Sequence, residues 1–372
     1  MSPSLRTLGR RAGVTCLVLV ALLLAACERP PIDTVQRGAR GTGMVQVYNP
    51  RTLAAQIPAN QPPADAPAVP AVPGAPLAGA VYQNVKVLGD LDVGNFTRLM
   101  VAMTGWVAPE GGCNYCHSND GNFASDAKYT KVVARRMLQM TQDINTNWKS
   151  HVAETGVTCY TCHRGQPVPA QVWFTPPADK QAARMAGGSA GQNQPAPQVG
   201  LASLPGDALS PYLLQQQPIR VAGTTALPNG NRSSTKQAEH TYSLMMHMSA
   251  SLGVNCTYCH NSRAFGEWSE STPPRQTAWH GIRMAQSLNT KYLEPLTDTF
   301  PIERRGVNGD VAKLNCATCH QGAYKPLYGA PMLKAHPELA GPLGEAMARA
   351  AAAGSPVTAA APAPATPAPQ KP

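Results

Sequence analysis

Aromatic residues make up only 6% of this 372-residue chain, while proline (36) and glycine (32) are abundant. A large conventional core is therefore not expected, because Phe, Tyr and Trp carry much of the buried apolar area in ordinary domains. Basic residues form no cluster of the nucleic-acid-binding kind, so a polyanion partner is not implied. No apolar run after residue 26 is long enough to span a bilayer, and the run Val14–Ala26 is itself short for that task. Outside one recurring pattern the chain has only two cysteines, Cys16 and Cys27. A disulfide framework is thus excluded from what the sequence leads one to expect.

The recurring pattern accounts for the other eight of the ten cysteines. It occurs as Cys113-Asn-Tyr-Cys116-His117, Cys159-Tyr-Thr-Cys162-His163, Cys256-Thr-Tyr-Cys259-His260 and Cys316-Ala-Thr-Cys319-His320. C-x-x-C-H is the c-type haem attachment signature. Two cysteine sulfurs form thioethers with the haem vinyl groups, and the adjoining imidazole binds the iron from one face. One tight helical turn brings the three groups together, which fixes the spacing. C-x-x-C pairs also build structural zinc sites, but zinc gives no reason for histidine directly after every second cysteine. With 9 histidines in the chain, four such coincidences are not expected by chance. The sequence predicts four covalently bound haem c groups.

The first 26 residues have a basic start (Arg6, Arg10, Arg11) and an apolar stretch, the layout of a signal peptide. Leu24-Ala25-Ala26-Cys27 looks like a bacterial lipobox, so cleavage before Cys27 and lipidation of that cysteine are expected. One lipid-bearing residue would hold the protein on a membrane without spanning it. Removing the three leader arginines leaves 28 basic against 21 acidic residues, a charge of +7 in place of +10. Haem propionates would offset most of the rest.

Residues 27–90 read as an extended, proline-punctuated arm, 91–170 as a first haem pair and 171–235 as a connecting segment, partly low-complexity around Gly187–Pro195. Residues 236–335 read as a second haem pair and 336–372 as an Ala/Pro-rich tail expected to be disordered. The two pairs resemble each other. The first contains Leu99-Met100, Arg136-Met137 and Asn145, the second Leu244-Met245, Arg283-Met284 and Asn289, with Met284 falling roughly at the repeat position of Met140. The expected fold is mainly α: two pseudo-repeated pairs of helix–loop–CxxCH modules with long irregular connections. Apolar spacing predicts helices over roughly 92–104, 127–148, 236–251 and 277–291. Pro109, Pro273, Pro274 and Pro295 mark breaks.

Each motif histidine is the near-side iron ligand. Met100, Met137 and Met245 are the candidates for the opposite face of the first three haems, with Met103, Met140, Met246 and Met248 as nearby rivals. Repeat position does not separate Met245 from Met246. For the fourth haem the candidates are Met284 and His151, a histidine outside any motif. His240, His247, His280 and His336 read as structural.

Several longer strings carry a family resemblance over roughly residues 80–335. They are Lys128-Tyr-Thr-Lys-Val-Val-Ala-Arg-Arg-Met137, Gly156-Val-Thr-Cys-Tyr-Thr-Cys-His-Arg-Gly165, Ser251-Leu-Gly-Val-Asn-Cys256, and Cys319-His320-Gln-Gly322 followed by Lys325-Pro-Leu-Tyr-Gly329. In these the chain resembles the tetrahaem cytochrome subunit of purple-bacterial photosynthetic reaction centres. The resemblance implies His/Met ligation of three haems by Met100, Met137 and Met245, and His/His ligation of the fourth by His151 ahead of Met284. It implies lipid attachment at Cys27 on the periplasmic face of the photosynthetic membrane. It further implies contact with the L and M subunits, with H in the same complex, and a soluble cytochrome c or high-potential iron–sulfur protein as donor. The implied role is electron transfer to the photo-oxidised bacteriochlorophyll pair, without bond chemistry of its own. A membrane-anchored carrier serving another oxidase or reductase is the alternative. A catalytic multihaem reductase is disfavoured, because every haem has a plausible sixth ligand.

Overall fold

Four helices of 15 to 19 residues carry the architecture. The structure is a computed structural model that describes residues 33–37, 44–48, 50–64, 69–70, 72–177, 196–221 and 233–341. The expectations for the signal peptide, Cys16, Cys27, the stretch Gly187–Pro195 and the tail beyond 341 lie outside the described residues.

In chain order the α-helices are α1 (Pro50–Gln56), α2 (Ala78–Val81), α3 (Val93–Val107), α4 (Tyr129–Asn147), α5 (Lys149–Val152), α6 (Cys159–His163), α7 (Ser210–Leu213), α8 (Thr235–Leu252), α9 (Pro273–Leu288), α10 (Cys316–His320) and α11 (Met332–Ala335). An antiparallel ribbon, β1 (Asp33–Arg37) with β2 (Met44–Tyr48), pairs Asp33 with Tyr48 and Arg37 with Met44. The chain is mainly helical, as the sequence predicts.

All four expected helices are present. Asp92 caps α3 by accepting from the Asn95 N–H at 2.9 Å, and Ser234 with Gln237 forms a capping box at the start of α8. Pro273 and Pro274 open α9 rather than separating it from what precedes, because a proline in the first helical turn sacrifices no intrahelical hydrogen bond. The helix ends at Leu288 and passes into a π turn, Asn289–Leu293, then a 3₁₀ stretch, Glu294–Thr299, entered at Pro295.

The same contacts recur in the two halves. The short motif helix α6 packs on α3, and α10 packs on α8. Gly165 donates to the Trp106 carbonyl at 2.8 Å, and Gly322 donates to the Ser251 carbonyl at 2.8 Å. At the end of α8, Gly253 has φ +63°, and a Cβ there would collide with the Gly322 carbonyl. Finally α6 and α10 pack on each other, joining the halves through their second motifs.

Among the described residues the buried apolar side chains form two clusters. One gathers Leu88, Leu91, Leu99, Trp106, Leu138 and Leu339 around α3. The other joins α8 and α9 with the connecting segment, whose Val199, Leu209, Tyr212 and Leu213 are buried. Trp173 belongs to this second cluster, and its indole N–H donates to the Leu314 carbonyl at 3.0 Å.

Two segments are better ordered than their composition suggests. In the arm, Asn60 is almost wholly buried, donates to the Gln321 carbonyl at 3.2 Å and accepts from the Leu327 N–H at 3.3 Å. The arm is thus docked against the fourth motif. At the other end, residues 336–341 are packed, correcting a tail that begins at 336. Glu338 is buried between Arg98 (2.8 Å) and His336 (3.1 Å), and Leu339 accepts from Asn145 at 2.8 Å.

Candidate haem sites

The four C-x-x-C-H turns come in two conformations. Cys113–Tyr115 and Cys256–Tyr258 are 3₁₀ turns, whereas Cys159–His163 and Cys316–His320 are α-helical. In the α-helical pair a threonine two residues after the first cysteine closes the helix start, through Thr158 N to Thr161 Oγ1 and Asn315 N to Thr318 Oγ1, both 3.0 Å. Arg164 and Gln321 then adopt left-handed backbone (φ 51° and 46°), turning the chain sharply after each histidine. In the 3₁₀ pair a helix-start threonine holds the turn, Thr130 donating to Tyr115 O at 2.6 Å and Thr272 to Tyr258 O at 2.5 Å.

Every motif histidine is oriented in the same way. Nδ1 donates to a backbone carbonyl: His117 to Phe123 (3.3 Å), His163 to Gln166 (2.8 Å), His260 to Phe265 (2.9 Å) and His320 to Ala323 (2.9 Å). Since a carbonyl only accepts, Nδ1 carries the proton and the Nε2 lone pair is left for a metal. His151 shares the pattern, its Nδ1 donating to Thr277 O at 2.9 Å. His247 differs, with Nε2 engaged by Ser251 Oγ at 3.3 Å. Burial lowers the pKa of all five oriented imidazoles, that of His320 to about 4. They are therefore neutral at physiological pH, the form that binds iron.

A cavity of about 1280 Å³ runs past the first, second and fourth motifs. It is lined by Cys113, Cys116, His117 and Met100; by Cys159, Cys162, His163 and Met137; and by Cys316, Cys319, His320 and His151. Met103, Met140, Met248 and Met284 line it too, so the cavity alone does not separate the chosen methionines from these rivals. Of the third motif only Tyr258 reaches this cavity; Cys256, Cys259, His260 and Met245 lie outside its lining. The His151 and His320 rings have centroids 6.0 Å apart.

Four of the motif thiols, Cys116, Cys159, Cys259 and Cys316, have their pKa raised by burial. Burial pushes Cys159 up to about 12 and Cys316 and Cys259 up to about 11. Among the described residues no three His, Cys, Asp or Glu side chains converge as metal ligands, which a structural zinc site would require. Volume, neutral imidazoles and an apolar lining with thioethers fit haem c instead.

One expectation is corrected. The sequence leads to a chain without disulfides, but Cys162 and Cys319 are joined by one, with Cα atoms 4.4 Å apart. The cause is the packing of α6 on α10, which brings the second cysteines of two motifs face to face. One sulfur cannot hold both a disulfide and a thioether, so haem attachment at Cys162 and Cys319 excludes this pairing.

Two side chains that the sequence marked only as repeat positions have a definite task. Asn145 accepts from Val157 N (2.8 Å) and donates to Val157 O (2.9 Å). Asn289 accepts from Leu314 N (3.0 Å) and donates to Leu314 O (3.0 Å). Val157 and Leu314 each stand two residues before the first cysteine of an α-helical motif. Each asparagine therefore clamps the approach to one attachment turn.

Lys313, also on the cavity wall, is buried against Asp310 and faces the Trp173 ring at 5.3 Å. Burial alone would raise the Asp310 pKa, but Lys313 and the Thr175 N–H outweigh it and hold it below 3.8. The stabilisation is therefore complete above that value and lost as pH falls through the lower folded pKa. In chemical denaturation, the deficit of Asp310→Asn relative to the unaltered chain is expected to be full at neutral pH and to shrink below about pH 4.

Fold and sites together define a c-type cytochrome, a helical scaffold presenting neutral histidines beside paired cysteines. A family model described as photosynthetic reaction centre cytochrome C subunit matches residues 28–340. The photosynthetic reaction center cytochrome c subunit of Rubrivivax gelatinosus is 58% identical over 331 residues, covering 89% of each chain. The subunits of the same name from Thermochromatium tepidum and Roseobacter denitrificans are 52% and 44% identical. The first alignment covers 87% of this chain and 79% of the relative, the second 82% and 85%. The chain belongs to the family of photosynthetic reaction centre cytochrome c subunits.

Proposed function

We propose that this chain is the electron-transfer subunit of a photosynthetic reaction centre, delivering electrons from a soluble periplasmic donor to the photo-oxidised bacteriochlorophyll pair. The observation that carries this reading is the shared orientation of the four motif histidines, in a chain matched to the family over residues 28–340. Covalent haem c supplies one-electron chemistry when bound. The protein's part is to fix the axial donors, exclude water and set the potential through ligand type and burial.

Four haems are proposed, one per motif. Cys113 and Cys116 hold the first, with His117 and Met100 as axial donors; Cys159 and Cys162 the second, with His163 and Met137. Cys256 and Cys259 hold the third, with His260 and Met245; Cys316 and Cys319 the fourth, with His320 and His151. Support for His151 comes from its Nδ1 anchor on Thr277 and its place beside His320. Support for Met245 over Met246 comes from the Met246 methyl, which lies by Gly200 in the connecting segment. The recurring contacts of the halves support two pseudo-repeated haem pairs, with the sequence boundaries 91–170 and 236–335. Thioether donors opposite histidine favour the high potentials that a strong photo-oxidant demands, and the His151/His320 site is the low one.

Membrane association follows from family membership. Among the described residues no helix is long and apolar enough to cross a membrane; a lipid on Cys27 is the proposed anchor. L and M, with H in the same complex, are the proposed neighbours, and a cytochrome c or high-potential iron–sulfur protein the proposed donor. Flash spectroscopy on native membranes tests this directly. After one light pulse, bleaching of the haem α-band should match recovery of the bacteriochlorophyll pair. Recovery without haem oxidation, in membranes with these haems fully reduced beforehand, would favour service to another oxidase or reductase.

A further inference from the structure

Helices α4 and α9 bury the same pattern of residues. Leu138, Thr141, Ile144 and Asn145 are buried in the C-terminal half of one, Ile282, Ala285 and Leu288 in that of the other with Asn289 directly after it. Each pair is separated by 144 positions, and the final pair are the two asparagine clamps, so the register between the helices is fixed by packing as well as by function. In this register Met137, the proposed thioether donor of the second haem, corresponds to Gly281.

Glycine is the poorest helix former after proline, and Gly281 lies mid-helix in ordinary helical backbone. Its place is explained by what rests on it. A Cβ at 281 would meet three atoms of the His151 ring, Cε1 at 2.5 Å, Nδ1 at 2.8 Å and Nε2 at 3.1 Å. The same ring is tied one turn earlier on α9, at Thr277 O. Met284, the other candidate donor, sits one turn later on the same helix and lines the same cavity.

We infer that Gly281 is a positioning residue for the fourth haem: the second half has given up its own ligand side chain at this position, and the bare backbone seats His151 from the first half in its stead. The inference rests on His151 serving the iron at Cys316/Cys319. It adds that the choice of imidazole over thioether is made at position 281, and that a methionine there would take the sixth position as Met137 does in the first half.

The test uses the full-length protein in its membrane complex, with ferric electron paramagnetic resonance and a potentiometric titration of each haem. Gly281→Ala should remove the bis-imidazole signal, as His151→Ala does. Gly281→Met should replace it with an imidazole–thioether signal and raise the potential of that haem alone. Gly105→Ala, mid-helix in α3 with nothing within 4 Å of the added Cβ, should change neither readout. In His151→Ala/Gly281→Met the ring that the new Cβ would meet is gone, so an imidazole–thioether signal is expected there even where a single variant assembles poorly. Loss of the bis-imidazole signal in His151→Ala, with its retention in Gly281→Ala and Gly281→Met, would overturn the seat while leaving the ligand intact. Retention of the signal in His151→Ala would overturn the ligand, and the seat with it. Absence of a thioether signal in the double variant would overturn the claim that position 281 is a ligand position.

Discussion

Replacing His151 with methionine is expected to raise the potential of a single haem and leave the other three unmoved. The reasoning begins with the imidazole. His151 is neutral, anchored by Nδ1 to Thr277 and 6.0 Å from His320. A thioether is a weaker donor to ferric iron than imidazole, so exchanging one for the other disfavours the oxidised state. The shift should be on the order of 0.1 V, a modest part of the roughly 0.8 V that axial ligation spans. The bis-imidazole ferric signal should vanish with it. Met284→Ala, by contrast, should leave that haem's potential in place. Four unchanged potentials in His151→Met would refute the assignment.

The second large effect is structural. Asn145→Ala removes the bonds to Val157 N, Val157 O and Leu339 O, in a residue that is 1% exposed. Each buried group left without a partner costs about 1–3 kcal/mol, so a total on the order of 3 kcal/mol is expected. For a body of this size the melting temperature should fall on the order of 10 °C. Asn289→Ala leaves the Leu314 N–H without its partner and the Leu314 carbonyl with the Trp173 indole alone, so the effect should run in the same direction and be smaller. The loss should also be local. Haem content per chain should drop at the motif whose approach is released, Cys159/Cys162 for Asn145 and Cys316/Cys319 for Asn289. Melting unchanged to within a degree or so, with full haem content, would show the clamps to be dispensable.

Much of this was legible in the sequence because haem attachment is a local event. Cys, Cys and His must share one turn, so the motif appears as contiguous letters and needs no tertiary knowledge. The helices were legible for a similar reason, since Leu99 with Met103 and Val132 with Met140 mark one face of each. What stayed hidden depends on distance along the chain. His151 reaches α9 across 126 positions, and nothing near residue 151 announces Thr277 or Gly281. Asn145 and Asn289 were visible as matching letters, but their partners lie in separate loops. The pairing of Cys162 with Cys319 comes from helix packing between halves, which spacing within either motif does not encode. The packed stretch 336–341 was missed because its alanine- and proline-rich neighbours masked a buried Glu338 matched to Arg98.

Asn60 gives the arm a mechanical meaning. It is moored on the Gln321 and Leu327 backbone beside the fourth motif. With a lipid on Cys27, as proposed, 32 residues lie between these two points, and they include α1 and the β1–β2 ribbon, whose second strand packs on the turn Cys256–Tyr258 of the third motif. Any pull from the bilayer then meets two moorings in turn, β2 on the third motif and Asn60 beside the fourth, so the second half of the molecule takes the load.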